Sequence, residues 1–295
     1  MVTLRSTAFA AAGLVALLLA AGCGGGSSSS ANTTEASGDS YGNCKVSGKR
    51  GEFKLNPVVA DTLSVQGDLP SPGWWNGDTV AQIKDGYEYC MAANIAYRAG
   101  LSKLAIENTP FDALVSGRTQ NFDMALAEIS ITDERKKVVN FSAPYFASNI
   151  GVMIKNGTDA SAANIKKLRL GVKQGTAGAL WVANTLKPEQ QPKVFANDPE
   201  MSAALQAGQI DAALQDVAIM LGSAQKSNGL LKVAGQFDTG ESYGALYPKN
   251  SANADTINKI IDQMKSDGTL DKLSADYLAK AFGGDPAAIP QWQAS

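Results

Sequence analysis

From Leu63 onward, short apolar runs alternate with longer stretches in which apolar residues recur at helical spacing. The runs predict strands at 63–68, 103–107, 122–128, 150–155, 168–173, 193–196, 210–215, 230–234 and 243–247. Helices are expected over 87–99, 110–117, 133–138, 177–187, 199–207, 217–226, 253–266 and 269–281. The pattern is clearest in the helix over 253–266. Ile257, Ile260, Ile261 and Met264 fall at i, i+3, i+4 and i+7, and Gly268 stops the run. Strands and helices in alternation predict an α/β fold.

Two segments resemble one another. Residues 113–128 read ALVSGRTQNFDMALAE and residues 204–216 read ALQAGQIDAALQD. Each is a helix end, a glycine and a strand that finishes on an acid, so Glu128 aligns with Asp216. Chance likeness of two βα units is the alternative. As a true repeat, the pair predicts two lobes of similar build. Ligands of open α/β sheets bind beyond the carboxyl ends of the strands, so the two acids would face a shared cleft.

The ends carry other information. Arg5 precedes an apolar run from Ala8 to Ala21, too short to span a bilayer but suited to a signal peptide over 1–22. The run closes on Leu19-Ala20-Ala21-Gly22-Cys23, which resembles the lipobox of bacterial lipoproteins, with Ala20 where leucine is usual. That resemblance implies a lipid on Cys23; an ordinary secretory signal cut nearby is the other reading, and both export the chain. Residues 24–40, GGGSSSSANTTEASGDS, hold almost nothing apolar and are expected to form a flexible tether, the first part of an N-terminal extension over 23–56.

Composition then excludes whole classes of function. The chain is 44% hydrophobic and 18% charged, as a globular body requires. Without Arg5, 25 basic residues stand against 28 acidic ones, a net charge of −3 with no basic cluster, so a nucleic-acid partner is not expected. Histidine is absent, which removes Ser-His-Asp and Cys-His catalysis and every His-containing zinc site. No metal and no cofactor are expected. Cys44 and Cys90 form an even pair in an exported chain and are expected to join in a disulfide, two separate buried thiols being the alternative.

The stretch 129–146, ISITDERKKVVNFSAPYF, resembles the polar amino-acid family of extracellular solute-binding proteins (family 3), with Asn140 where aspartate is usual. PFDALVSGRTQNFDMAL, GVKQGT, ALQAGQIDAALQD, SYGALYPK and KSDGTLDKL extend the likeness in order from about Leu63 to Phe282. The resemblance implies a role for individual residues. Arg135 would grip a ligand α-carboxylate, for which its two-pronged guanidinium is suited. Ser130 and the loop Gly175-Thr176-Ala177 would add bonds to the same carboxylate, Ala177 only through its backbone. Asp216 would pair with the α-ammonium; a helix N-cap is its other reading. Asp68, Phe111 and either Trp74 or Trp75 would line the side-chain pocket, the tryptophans' alternative being a hydrophobic plug beside it. Glu128 stands where the family usually has glycine or serine and would intrude on the pocket.

The fold so implied is the two-lobed, type II periplasmic-binding-protein architecture with two crossovers. Lobe I would comprise 57–146 plus 243–284 and lobe II 150–238, with hinges near 146–150 and 238–243 and a tail over 285–295. Function follows as a lipid-anchored, monomeric binding protein on the outer face of the membrane, handing a polar amino acid to the permease of an ABC importer. With Asp68 and Glu128 in the pocket, a cationic or neutral ligand is favoured over an acidic one, unless Lys173 turns inward and cancels one carboxylate. A dehydratase of the same fold and a lipid-anchored sensory module are the alternatives.

Overall fold

The computed structural model describes residues 31–284 and 286–294. The expected signal peptide and Cys23 lie outside the described residues. Two six-stranded sheets organise the molecule. The first contains β1 (Asn32–Glu35), β4 (Thr62–Gly67), β5 (Lys103–Asn108), β6 (Met124–Ala125), β7 (Asn140–Phe141) and β13 (Leu246–Tyr247), in the order β1-β5-β4-β6-β13-β7. β4 runs parallel to β5 and β6, whereas β1 and β13 are antiparallel to their neighbours. A small hairpin, β2 (Ser40–Tyr41) with β3 (Cys44–Lys45), precedes β4.

The second sheet is built from β8 (Phe146–Lys155), β9 (Leu170–Lys173), β10 (Lys193–Phe195), β11 (Ala212–Asp216), β12 (Leu231–Tyr243) and β14 (Gln291–Trp292). Their order is β10-β9-β11-β8-β12-β14. Helices α1 (Tyr87–Arg98), α2 (Phe111–Val115), α3 (Asp133–Lys136), α7 (Ala254–Ser266), α8 (Thr269–Leu273) and α9 (Ala279–Phe282) accompany the first sheet. Helices α4 (Ala177–Trp181), α5 (Asp198–Gln206) and α6 (Val217–Lys226) accompany the second. α4 continues through a wider turn over Val182–Leu186, and Lys187 in the left-handed region ends it.

The pleat explains why β8 reads as an unbroken apolar run. Ile150, Val152 and Ile154 point into one core with Leu170, Val172 and Leu214, while Met153 joins Met201, Leu205 and Met220 on the other face. Both faces are covered, so both sets of side chains are apolar. In α7 the four predicted positions, Ile257, Ile260, Ile261 and Met264, are all fully buried, and Gly268 (φ 76°) follows the helix in the left-handed conformation glycine adopts without strain.

β8 and β12 pair antiparallel along nearly their whole length and carry the chain between the two sheets. Their register shifts between Phe237 and Glu241, at the Gly240 turn. Where they enter the first lobe they meet an aromatic cluster. Trp74 packs edge-on against Tyr87, Phe146 and Tyr243, and Phe146 stacks on Tyr243.

Four expectations need correction. The tether over 24–40 is not wholly free: Asn32–Glu35 adds an edge strand to the first sheet by pairing with Lys103–Ile106. The tail over 285–295 is not an appendage, because Gln291–Trp292 pairs with Gln236–Phe237 of β12. Strands expected at 230–234 and 243–247 are separated differently, since β12 runs unbroken to Tyr243 on hydrogen bonds from β8. The strand expected over 122–128 is short. Leu126 still donates to the Gln66 carbonyl, but by Glu128 (φ 49°) the chain has turned out of the sheet.

Candidate functional site

Arg135 owes its position to a local device. The Thr132 hydroxyl caps α3 by accepting from the Arg135 N–H, which fixes the third residue of a four-residue helix. The guanidinium then reaches inward. Nη1 donates to the Ser130 carbonyl at 2.6 Å, and Nη2 donates across to the Gly175 carbonyl of the second lobe at 2.9 Å. The group stands 5.2 Å over the Phe111 ring and is buried. Among the described residues no carboxylate lies within salt-bridge distance of it. Burial brings its pKa down to about 10, against the attraction of Asp216 and Glu241.

Asp216 faces it from the end of β11. It sits at the N-cap of α6 but makes no side-chain capping bond. Burial first, and then the like charge of Glu241, push its pKa up to about 7. The two groups share a nearly closed cleft, of about 10 Å³, with Phe111, Ala127, Glu128 and Ser130 of the first lobe and Lys173, Thr176, Ala177, Gln215 and Ile219 of the second. The Ser130 hydroxyl donates to Glu241 at 2.7 Å. The Thr176 hydroxyl accepts from the Ala179 N–H and donates to the Lys173 carbonyl, so it organises the loop before α4. Gly175 (φ 75°) turns that loop toward α2, where an added Cβ would come within 3.3 Å of Asp112.

The structure therefore brings together Arg135, Asp216, Ser130, Thr176, Ala177, Phe111 and Glu128, with the Gly175 carbonyl at the rim. Asp68 is set differently. Lys173 turns inward and is held by Asp68 of the first lobe and by Asp198 of the second, the latter at 2.8 Å. Burial opposes charge on Lys173, but Asp198 and Asp68 outweigh it and raise its pKa. Asp68 is thus an ion-pair partner at the edge of the cleft, and it does not line it.

Neither tryptophan reaches the cleft. Trp74 and Trp75 are fully buried in the first lobe's core. Trp74 fills the aromatic cluster at the crossovers, and Trp75 donates from its indole Nε1 to Glu88 at 2.8 Å. Gly86 (φ 125°) permits this placement; a Cβ there would sit 2.3 Å from the Trp74 carbonyl oxygen. The dipeptide lies in the turn-rich segment SPGWWNGD, whose direction cannot be read from spacing.

Glu88 is the residue the sequence hides. It lies between Tyr87 and Tyr89 at the start of α1, where an acid ordinarily reads as a solvated partner of the helix dipole. Instead it is fully buried behind Glu128. It accepts from the Glu128 N–H at 2.9 Å, from Trp75 and from the Tyr145 hydroxyl.

A buried cation and a buried acid, each without an ion-pair partner among the described residues, thus face one another from opposite lobes. Comparison with known proteins agrees with this geometry. The model of bacterial extracellular solute-binding proteins, family 3, matches residues 78–280. The chain belongs to that family. It is a solute-binding protein and not an enzyme. The L-cystine-binding protein TcyJ of Escherichia coli (strain K12) is 31% identical over 205 residues, 68% of this chain and 75% of that protein. The arginine-binding periplasmic protein of Mannheimia haemolytica is 30% identical over 192 residues, 63% of this chain and 79% of that one. Among solved structures, an ancestral arginine-binding protein bound to arginine superposes with a TM-score of 0.65 at 31% identity, covering 74% of this chain and 98% of that chain. The fold is accordingly the type II, two-lobed one. Among the described residues no helix is long and apolar enough to cross a membrane.

Proposed function

We propose that this family member captures a polar amino acid between its lobes and delivers it, as a lipid-anchored monomer, to the permease of an ABC importer. One observation carries the reading: Arg135 and Asp216 are both buried, lack ion-pair partners among the described residues and face a single cleft from opposite lobes. An uncompensated buried charge is strongly unfavourable, and a zwitterion supplies both missing partners at once. Its carboxylate would take the guanidinium with help from Ser130 and the 175–177 loop, and its ammonium would take Asp216. Phe111 and Glu128 would flank the side chain. Bonds to both lobes exist only when these approach, so a ligand would favour the closed form.

Relatives that bind cystine, arginine, histidine and glutamine support an amino acid as the cargo. A thermal-shift screen of the twenty amino acids, ornithine, citrulline and small betaines tests this. Ligand at 100 times its Kd adds about 2.7 kcal/mol of stability; no shift with any of them contradicts the proposal. The anchor rests on the lipobox-like segment ending at Cys23. Cys23→Ser should release the protein from carbonate-washed membranes, and retention would count against lipidation.

A further inference from the structure

Glu128 breaks two rules. It holds a left-handed backbone (φ 49°), which a non-glycine residue adopts only against steric strain, and it buries a carboxyl group whose Oε1 has no hydrogen-bond partner among the described residues. The neighbouring Ser71 hydroxyl is buried and unpartnered as well. Strain held in place at a cleft wall points to a role in binding.

The donors around the pair decide where its proton sits. Glu88 is surrounded by them: the Glu128 N–H and the Tyr145 hydroxyl reach Oε1, and Trp75 Nε1–H reaches Oε2. Three donors suit a carboxylate. Glu128 has only the nearby Ser71 hydroxyl and Glu88 itself beside it, so the proton shared by the pair belongs to Glu128. Burial, and then Glu88, keep the Glu128 carboxyl protonated well above the usual carboxylate range. Other charged groups near Glu128 are Lys173 on β9, bound by Asp68 and Asp198, and across the cleft Arg135 on α3 and Asp216 on β11.

We propose that Glu128, backed by Glu88, selects the ligand's side chain: its free oxygen accepts a hydrogen bond from an N–H group there. When that group is a cation, the pair releases its proton to solvent as the ligand enters. This rests on amino-acid capture in the Arg135–Asp216 cleft. It makes Glu128 a specificity residue and Glu88 a positioning residue. An acidic side chain is excluded, because the Glu128 proton is directed at Glu88 and the oxygen left to the cleft is an acceptor facing acceptors.

The test is calorimetry of L-arginine, L-glutamine, L-glutamate and L-leucine at pH 6, in two buffers of different ionisation enthalpy. Any amino acid that pairs its ammonium with Asp216, whose pKa is pushed up to about 7, releases a proton there; arginine should release about one proton per site more than glutamine, and glutamate should bind at least about 100-fold more weakly than either. The Kd for arginine should fall more steeply than that for glutamine as pH rises from 5 to 8. In Glu128→Gln the excess proton release with arginine should vanish and the arginine-to-glutamine affinity ratio should drop at least about tenfold. Glu128→Gly, which suits the left-handed backbone, should lose the release in the same way. Arginine binding that releases no more protons than glutamine binding, or an unchanged ratio in both variants, overturns the proposal. Tightest binding of leucine or glutamate overturns it while leaving amino-acid capture standing; binding of none of the four overturns both.

Discussion

Asp216 and Arg135 show how a binding site is held in readiness by burial. Each would be more stable in water, and each is kept dry by neighbours that stabilise it only partly. Asp216 carries the measurable consequence. Its folded pKa of about 7 lies above the ordinary value near 3.9 for an unfolded chain. Between those values the folded protein binds more protons than the unfolded one, so stability rises as pH falls. Glu128 and Glu88, both raised first by burial, act with the same sign. Without added ligand, the Tm should therefore be higher at pH 5 than at pH 8, by at least about 3 °C. Asp216→Asn should flatten this dependence. Melting curves followed by circular dichroism decide it, and a Tm that falls from pH 8 to pH 5 contradicts the assignment.

At the scale of elements, the N-terminal arm shows where composition misleads. Asn32–Glu35 is polar, yet it forms an edge strand because β5, some 70 residues later, offers its free edge. Beyond it the arm is fastened to α1. The sulfurs of Cys44 and Cys90 are bonded, the fully buried Tyr41 donates to the Leu101 carbonyl, and Asp39 accepts from Tyr97. Arg98, buried at the end of α1, donates to Ser47, Thr269 and Gln263 and pairs with Asp267 at 2.8 Å. Cys90→Ser opens a cross-link spanning 46 residues and should cost about 2–4 kcal/mol. Urea unfolding of the variant should show a lower midpoint; an unchanged midpoint would contradict a stabilising role. The tail is similar. Trp292 lies over Gly235, where a Cβ would meet its ring at 2.1 Å, and nothing in the local pattern predicts that contact. Helix α7 and strand β8 were legible because their own side chains specify them through period and continuous burial. The arm, the tail and the long β12 were not, because distant strands satisfy their backbones. The site divides in the same way. Arg135 and Asp216 sit in motifs of fixed local geometry. Glu88, Trp74 and Trp75 have their surroundings fixed by tertiary packing around α1.

Across the whole molecule, polar contacts join the lobes on either side of the cleft. Arg135 reaches Gly175 at one point, and Lys173 bridges Asp68 and Asp198 at another. Lys173 cancels the Asp68 carboxylate, so charge selection cannot rest on Asp68 and passes to Glu128. The crossover strands β8 and β12 connect the lobes, and their register shifts beside Gly240. The central claim is that one zwitterion is held between Arg135 and Asp216. The most direct test titrates the best amino acid from the screen, and its α-carboxamide, into the wild type and into Arg135→Lys. The wild type should bind the amino acid and lose about 3 kcal/mol or more toward the carboxamide, as should the variant toward the amino acid itself, while its melting stays cooperative. Equal affinity of the wild type for both ligands, or near-native affinity in the variant, would contradict the account.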